Sequence, residues 1–218
     1  LTAVGILTEG EAHSFALTPL GMYLRTDVAG SLRHQVLFQG EKANWSIWGA
    51  LLQSVETGDP TYPYIFGCTN WDYRAQHPEA ATLFHSYMTE VATNLAPTVA
   101  SGYDFSTTSI LVDVGGGHGQ MLASILQAHP TLHGVLFDLP HVVADAPPLL
   151  TAANVADRCE IVGGDAFTAV PAGYETYLLS RVIHDWDDEH ALTLLTHCRQ
   201  AMRPQGKILL VERVIVTA

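Results

Sequence analysis

Three short stretches of this chain carry carboxylates where a nucleoside could be held. Asp113-Val114-Gly115-Gly116-Gly117-His118-Gly119 runs an acid into a cluster of glycines. At a strand-to-helix junction such glycines let the backbone turn sharply and let a ligand approach with no Cβ in the way. Asp138 follows nineteen residues after Gly119, a position where a carboxylate can accept hydrogen bonds from both hydroxyls of a ribose. Gly163-Gly164-Asp165 supplies a third acid, placed to accept from the amino group of an adenine. Taken singly, each Asp reads as a loop residue or a helix cap. Taken together, three carboxylates after three successive strands would ring one crevice at the C-terminal edge of a sheet, where open α/β sheets bind ligands.

Spacing and charge then separate two nucleoside ligands. Gly115, Gly117 and Gly119 alternate, unlike the GxGxxG run that cradles a pyrophosphate. Asp113, with no Lys or Arg beside it, would repel a pyrophosphate, yet it suits a ligand carrying an ammonium and a sulfonium. The electrostatics favour S-adenosylmethionine (SAM) over a nicotinamide dinucleotide. An NAD oxidoreductase is the alternative that the spacing opposes.

A second kind of chemistry sits in Arg181-Val182-Ile183-His184-Asp185-Trp186-Asp187-Asp188-Glu189. With eleven histidines in the chain a bare His says little. His184, however, falls at the end of a fourth strand on the same rim, placed to act as general base on a substrate hydroxyl beside a methyl donor. A phenol near pKa ~10 and an imidazole near ~6.5 are separated by roughly 5 kcal/mol for full proton transfer. A carboxylate that stabilises the imidazolium narrows that gap. Glu212, an acid in an otherwise apolar fifth strand, is the candidate; the plainer alternative is that Glu212-Arg213 marks a strand end.

The scaffold these residues need is visible from Thr108 onward, where strand–helix alternation signals a parallel α/β sheet. Strands are expected at 110–114, 135–138, 159–162, 177–182 and 208 to about 216, with a helix at 118–128 after the glycines. Asp187, Asp188 and Glu189 open another helix. Leu192, Leu195, Cys198 and Met202 line one of its faces, Arg199 and Arg203 its last turn, and Pro204-Gln205-Gly206 stops it.

Residues 39–103 read as helical, with Trp45, Trp48, Leu51, Leu52 and Val55 at helical spacing on one face. Pro78-Glu79 opens a helix whose stripe of Phe84, Tyr87, Met88 and Val91 is either core or the lining of a pocket for a flat aromatic substrate. Residues 1–38 show two short strands, 5–9 and 15–18, then a short helix opened by Thr18 and Pro19. Such a strand pair resembles the wing of a winged-helix module. Residues 1–100 hold four basic residues (Arg25, Arg33, Lys42, Arg74) against nine acidic ones. That is the wrong sign for a DNA footprint and favours a structural or dimerising module. The division expected is therefore 1–38, 39–103 and 104–218.

Composition agrees. The 218 residues are 48% hydrophobic and 15% charged, a globular balance with room for one sizeable domain and a smaller appendage. A formal net charge of −12 argues against nucleic acid as a partner. Cys68, Cys159 and Cys198 form no CxxC pair, which suits reduced thiols in a cytoplasm and neither a disulfide framework nor a zinc site. No apolar run is long enough to span a membrane, and none follows Leu1 as a secretion leader. The absence of an initiator Met suggests further residues before Leu1.

At these residues the chain resembles the class I small-molecule O-methyltransferases, the plant caffeate and flavonoid enzymes and their bacterial antibiotic-pathway relatives. Asp-Val-Gly-Gly-Gly-x-Gly (113–119), Phe137-Asp138-Leu139-Pro140, Gly163-Gly164-Asp165, His184-Asp185-Trp186-x-Asp188-Glu189 and the run from Lys207 to Glu212 stand in the family's order. The resemblance extends over 1–218 and is strongest over 108–216. It implies a Rossmann-like SAM-binding domain with a mostly parallel sheet, preceded by a partial winged-helix and helical region. SAM is the implied cofactor, S-adenosylhomocysteine the product, and no metal is expected. Gly115, Asp138, Asp165, Ala166 and Ser180 would border SAM, joined by Asp113 and Gly117 from the loop. His184 would be the base and Glu212 would orient it, with Phe84, Met88 and Trp186 toward a small hydroxylated acceptor, phenolic or polyketide-like.

The resemblance also implies a homodimer when full length. The chain departs from the family's pattern in lacking N-terminal dimerisation helices and, past the fifth strand, a helix, a closing hairpin and a second His-supporting glutamate. Ser180 and Ala166 stand where plant members often have Lys and Met, so the acceptor type is not carried over from plants. Two alternatives stay open: a SAM-binding relative with hydroxylating, decarboxylating or pericyclic chemistry, and a catalytically incomplete fragment. Without a hairpin, an apolar strand at 208–216 would be an exposed edge prone to pairing.

Overall fold

The structure is a computed structural model and describes residues 1–215. It divides into two compact units, Leu1–Glu90 and Val91–Ala218.

In the first unit, β1 (Leu7–Glu9) pairs antiparallel with β2 (Phe15–Leu17). Both strands are shorter than the sequence suggests. Residues Thr2–Val4 coil into a 3-10 turn, and Thr18 leaves the ladder to cap α1 (Pro19–Met22), accepting from the Gly21 N–H at 3.1 Å. Five helices follow: α2 (Arg33–Gly40), α3 (Lys42–Gly49), α4 (Leu51–Thr57), α5 (Thr61–Phe66) and α6 (Asn70–Gln76). The long α7 (Pro78–Gly102) then opens at Pro78, as the sequence leads one to expect.

The one helical face expected for Trp45, Trp48, Leu51, Leu52 and Val55 is divided between two helices and lies exposed. The chain breaks at Ala50 between α3 and α4, and all five side chains are exposed, Trp45 at 74%. What α3 turns inward is its small and polar face. Ala43 and Asn44 are buried, and the Asn44 amide donates to the Phe38 carbonyl at 2.6 Å.

The second unit is built on a sheet of five parallel strands. In chain order these are β3 (Ile110–Val114), β4 (His133–Asp138), β5 (Cys159–Gly163), β6 (Thr176–Ser180) and β7 (Lys207–Val211). Their spatial order is β5-β4-β3-β6-β7. The connecting helices are α8 (Gln120–Ala128), α9 (Pro140–Val143), α10 (Pro147–Ala152) and α11 (Asp188–Ala201). Strand alternation feeds two cores, as a parallel sheet covered on both faces requires. Leu111, Leu136 and Leu178 join Leu122, Ile125 and Leu126 of α8. Val112, Val135, Phe137, Tyr177 and Leu179 join Cys198 of α11. The expected Rossmann-like α/β sheet is present.

Its boundaries differ from the sequence expectation for identifiable reasons. The helix begins at Gln120 instead of 118 because Gly119, at φ 84°, occupies the N-cap. β6 stops at Ser180 because Arg181 turns left-handed, at φ 59°. Asp187 caps α11 through the His190 N–H, but the buried stripe runs through Leu194 and Cys198, which leaves Leu192 exposed. Arg203 lies beyond the helix and pairs with Glu175 at 2.6 Å. β7 ends at Val211, since Glu212 turns its carboxylate to other partners; residue 216 lies outside the described residues. Among the described residues no helix is long and apolar enough to cross a membrane.

Candidate active site

Because all five strands run parallel, Val114, Asp138, Gly163, Ser180 and Val211 finish at one edge of the sheet. The glycine loop starts there. Gly115 and Gly116 N–H groups both donate to the Phe137 carbonyl, at 2.8 and 3.3 Å, which folds the loop back over β4. Gly117 adopts φ 59°, and a Cβ placed on it would meet nothing within 4 Å, so bare backbone faces open space. A Cβ on Gly116 would instead stand 2.8 Å from an Asp113 carboxylate oxygen. The loop thus has a ligand-facing side and a packed side.

Asp138 is tied to this loop. Its Oδ2 accepts from the Gly117 N–H at 2.8 Å and its Oδ1 from the Leu139 N–H at 2.7 Å. Each oxygen keeps a lone pair, enough to accept two hydroxyls. Burial raises the Asp138 pKa, against the pull of those two N–H donors.

Asp113 lies elsewhere than on the expected rim. It is 1% exposed beneath the loop, and neither oxygen has a hydrogen-bond partner among the described residues. Burial, and secondarily the charge of Asp138, push its pKa up to about 7; the Leu122 N–H pulls the other way without reaching hydrogen-bond geometry. A strand's last residues alternate between faces, and here the alternation points this acid inward.

Asp165 does reach the edge. It is exposed, accepts from the Phe167 N–H at 2.9 Å, and follows Gly164, whose N–H donates to the Asp138 carbonyl at 2.9 Å. The Ala166 carbonyl lies 2.8 Å from His197 Nδ1, anchoring this loop to α11. Trp186 packs its ring edge-on to Phe167, with centroids 4.5 Å apart, and stacks near His190 at 5.7 Å. It therefore joins the Asp165 side of the edge. Phe167 was not singled out from the sequence; an aromatic directly after Gly-Gly-Asp-Ala was the available signal.

His184 sits in the one-turn 3-10 segment Ile183–Asp185 that follows the left-handed Arg181. Glu212 bridges it from the end of β7. Its Oε1 accepts from the Ile183 N–H at 3.0 Å, and its Oε2 lies 2.6 Å from His184 Nδ1. A carboxylate at Nδ1 fixes the proton there and leaves Nε2 as the acceptor nitrogen. The side chain is half exposed, and the Asp185 carboxylate is 3.6 Å from Nε2.

Of the residues named from sequence, Gly115, Gly117, Asp138, Asp165, Ala166, Ser180, His184 and Glu212 gather along this edge, with Trp186 beside them. Phe84 and Met88 belong to the other unit, half-buried on α7. A cavity of about 280 Å³ opens away from the site, where β6 and β7 begin, among Thr108, Glu175, Thr176 and Lys207.

Residues 48–218 match an O-methyltransferase domain family. The chain is 39% identical over 215 residues to a phenazine O-methyltransferase of Lysobacter antibioticus, covering 99% of this chain and 63% of that protein. A solved structure of LaPhzM superposes with a TM-score of 0.94 at 39% identity, over 100% of this chain and 65% of that one. NcsB1, an O-methyltransferase from neocarzinostatin biosynthesis solved with SAM and 2-hydroxy-5-methyl naphthoic acid, gives 0.83 at 31% identity. It is matched over 97% of this chain and 65% of its own. The chain spans a little under two thirds of the length of these relatives.

Proposed function

The chain belongs to the O-methyltransferase family, and on that premise we propose that the protein transfers a methyl group from SAM to a hydroxyl of a small phenolic or polyketide-like molecule. The observation that carries this reading is the Glu212–His184 pair, at 2.6 Å, on the same sheet edge as Asp138 and Asp165.

SAM, when bound, supplies a methyl carbon made electrophilic by its sulfonium. The edge fits such a ligand. Asp138 keeps free lone pairs for the ribose hydroxyls, and Gly117 offers bare backbone beside them. Asp165 and Ala166 take the adenine side, with Phe167 and Trp186 as an aromatic wall. Ser180 ends β6 at the same edge, four residues before His184. Two carboxylates at the rim favour a cationic ligand over a pyrophosphate. Asp113 acts from beneath, as the floor of the glycine loop.

His184 performs the proton chemistry. Glu212 holds the Nδ1 proton, so Nε2, with the Asp185 carboxylate 3.6 Å away, is the nitrogen that would take the acceptor's hydroxyl proton. The imidazolium that forms is stabilised by the Glu212 carboxylate. Methyl loss would leave the cofactor as S-adenosylhomocysteine, neutral at sulfur.

The protein works as a homodimer, and its three thiols, all free, suit a cytoplasmic setting. Residues 1–38 serve as part of a winged-helix dimerisation module, 39–103 as linker and acceptor-side helices, and 104–218 as the SAM domain.

Release of S-adenosylhomocysteine from SAM in the presence of 1-naphthol tests the reading. His184→Ala is expected to lower the rate by about 10²–10⁴-fold and to leave S-adenosylhomocysteine affinity unchanged. An unimpaired His184→Ala enzyme would remove the base. SAM binding without product from any hydroxylated aromatic would favour a protein that holds SAM for other chemistry.

A further inference from the structure

The proton chemistry uses one of the chain's eleven histidines. Two others, His190 and His197, stand on α11 seven residues apart, which is two helical turns and places them on one face. Both meet the Asp165 side of the sheet edge. His197 Nδ1–H donates to the Ala166 carbonyl at 2.8 Å. His190 packs on both rings of the aromatic wall. It stacks on Trp186 with centroids 5.7 Å apart and planes at 27°, and it meets Phe167 edge-on at 5.6 Å and 87°. Its own ring is held in turn, since Asp187 Oδ1 accepts from the His190 backbone N–H at 2.9 Å and from Nδ1–H at 2.7 Å. Those two donors, the backbone one first, keep the Asp187 carboxyl below the usual carboxylate range.

Fold stability gives this arrangement little reason to exist. The His190 and Asp187 side chains are 53% and 67% exposed, and an ion pair so open to water adds little to the folded state. What the contacts do is restrict motion. Asp165 follows Gly163 and Gly164, the residue type with the freest backbone. On the strand side this segment is tied by the Gly164 N–H to the Asp138 carbonyl at 2.9 Å. Toward α11, His197 and His190 add a second anchor. A wall fixed beforehand costs a ligand less ordering when it binds.

We infer that His190 and His197 are positioning residues for the cofactor, holding Asp165, Phe167 and Trp186 from one face of α11 in the place that receives the base of SAM. The inference rests on the proposed reading of those three residues as the adenine side. Each imidazole acts through what it holds, His190 through the two rings and His197 through the backbone beside Asp165.

The test is calorimetric titration of S-adenosylhomocysteine and of S-ribosylhomocysteine, the same molecule without its adenine. The wild-type protein is expected to prefer the ligand that carries the base. His190→Ala should weaken S-adenosylhomocysteine about tenfold, the worth of one well-placed aromatic contact, and change S-ribosylhomocysteine less than about threefold. His190→Phe keeps a ring against Trp186 and should restore the preference. His197→Ala should give the same base-specific loss, and His197→Asn, whose amide N–H still donates to the Ala166 carbonyl, should restore it. Where an Ala variant does not fold, His190→Gln and His197→Leu take its place with the same expectation.

A merely structural pair gives a different pattern: both ligands weaken in step, and the ligand-free melting temperature falls. That pattern overturns the inference, as does an unchanged preference in the variants of either histidine. A wild-type protein that binds S-adenosylhomocysteine no tighter than S-ribosylhomocysteine overturns it as well, while the reading of the edge as a SAM site stands. A wild-type protein that binds neither ligand removes that reading and this inference with it.

Discussion

Asp113 holds its carboxyl beneath Gly116, where burial pushes the pKa up to about 7. In the unfolded chain the same group titrates near ~4. The folded state therefore keeps a proton that the unfolded state loses. Stability from this group is greatest at low pH and declines as pH rises from about 4 to about 7. The loss amounts to a few kcal/mol at most, about 1.4 per pH unit across that window. Asp138, raised by burial as well, adds a slope of the same sign. Asp113→Asn is expected to flatten most of the slope and to raise the melting temperature at pH 8, with little change at pH 4.5. A calorimetric scan series that shows the wild-type slope intact in Asp113→Asn would contradict this. At Glu212, exchange for Gln removes the charge that stabilises the imidazolium while keeping the shape. It should lower turnover by about tenfold or more and leave S-adenosylhomocysteine affinity alone; equal rates would make Glu212 a structural tether of Ile183 only.

The glycine loop is only as well placed as the helix that follows it, and α8 is tied at its far end by Gln127 and His129, which reach the Ala153 and Ala100 carbonyls, and by Arg158. Arg158 donates to the carbonyls of Leu126, His129 and Leu132, at 2.9, 3.3 and 2.7 Å, answering groups that a helix end leaves open. Arg158→Ala is expected to cost about 3 kcal/mol in urea unfolding with an unchanged denaturant slope. A loss under about 1 kcal/mol would show that water replaces it freely.

Arg158's role is not legible in the sequence, because its partners are distant backbone carbonyls that no spacing reveals. Asp138, Asp165 and His184 were legible because each follows a strand, and parallel strands bring such positions to one edge. Helical spacing found the Trp45–Val55 stripe but could not tell which way it faces. At Arg181 the strand's end depended on one left-handed residue with no glycine to announce it.

At the scale of the molecule, Trp45, Trp48, Leu52 and Val55 leave the first unit with an exposed apolar strip, of the kind that marks an association surface. The proposed dimer gives it an occupant. Trp48→Lys with Leu52→Glu should shift the protein toward monomer in sedimentation velocity and leave the melting temperature of the second unit unchanged. A dimer of undiminished strength would place the interface elsewhere. The sheet edge serves cofactor and base together, and the proposed chemistry requires Asp138 to face a nucleoside. Calorimetric titration of SAM, S-adenosylhomocysteine and NAD into wild type and Asp138→Ala puts that to the most direct test. The expected result is that both sulfur nucleosides bind, NAD does not, and Asp138→Ala weakens them at least tenfold while remaining folded. Wild-type affinity in Asp138→Ala, or NAD binding in place of SAM, would contradict it.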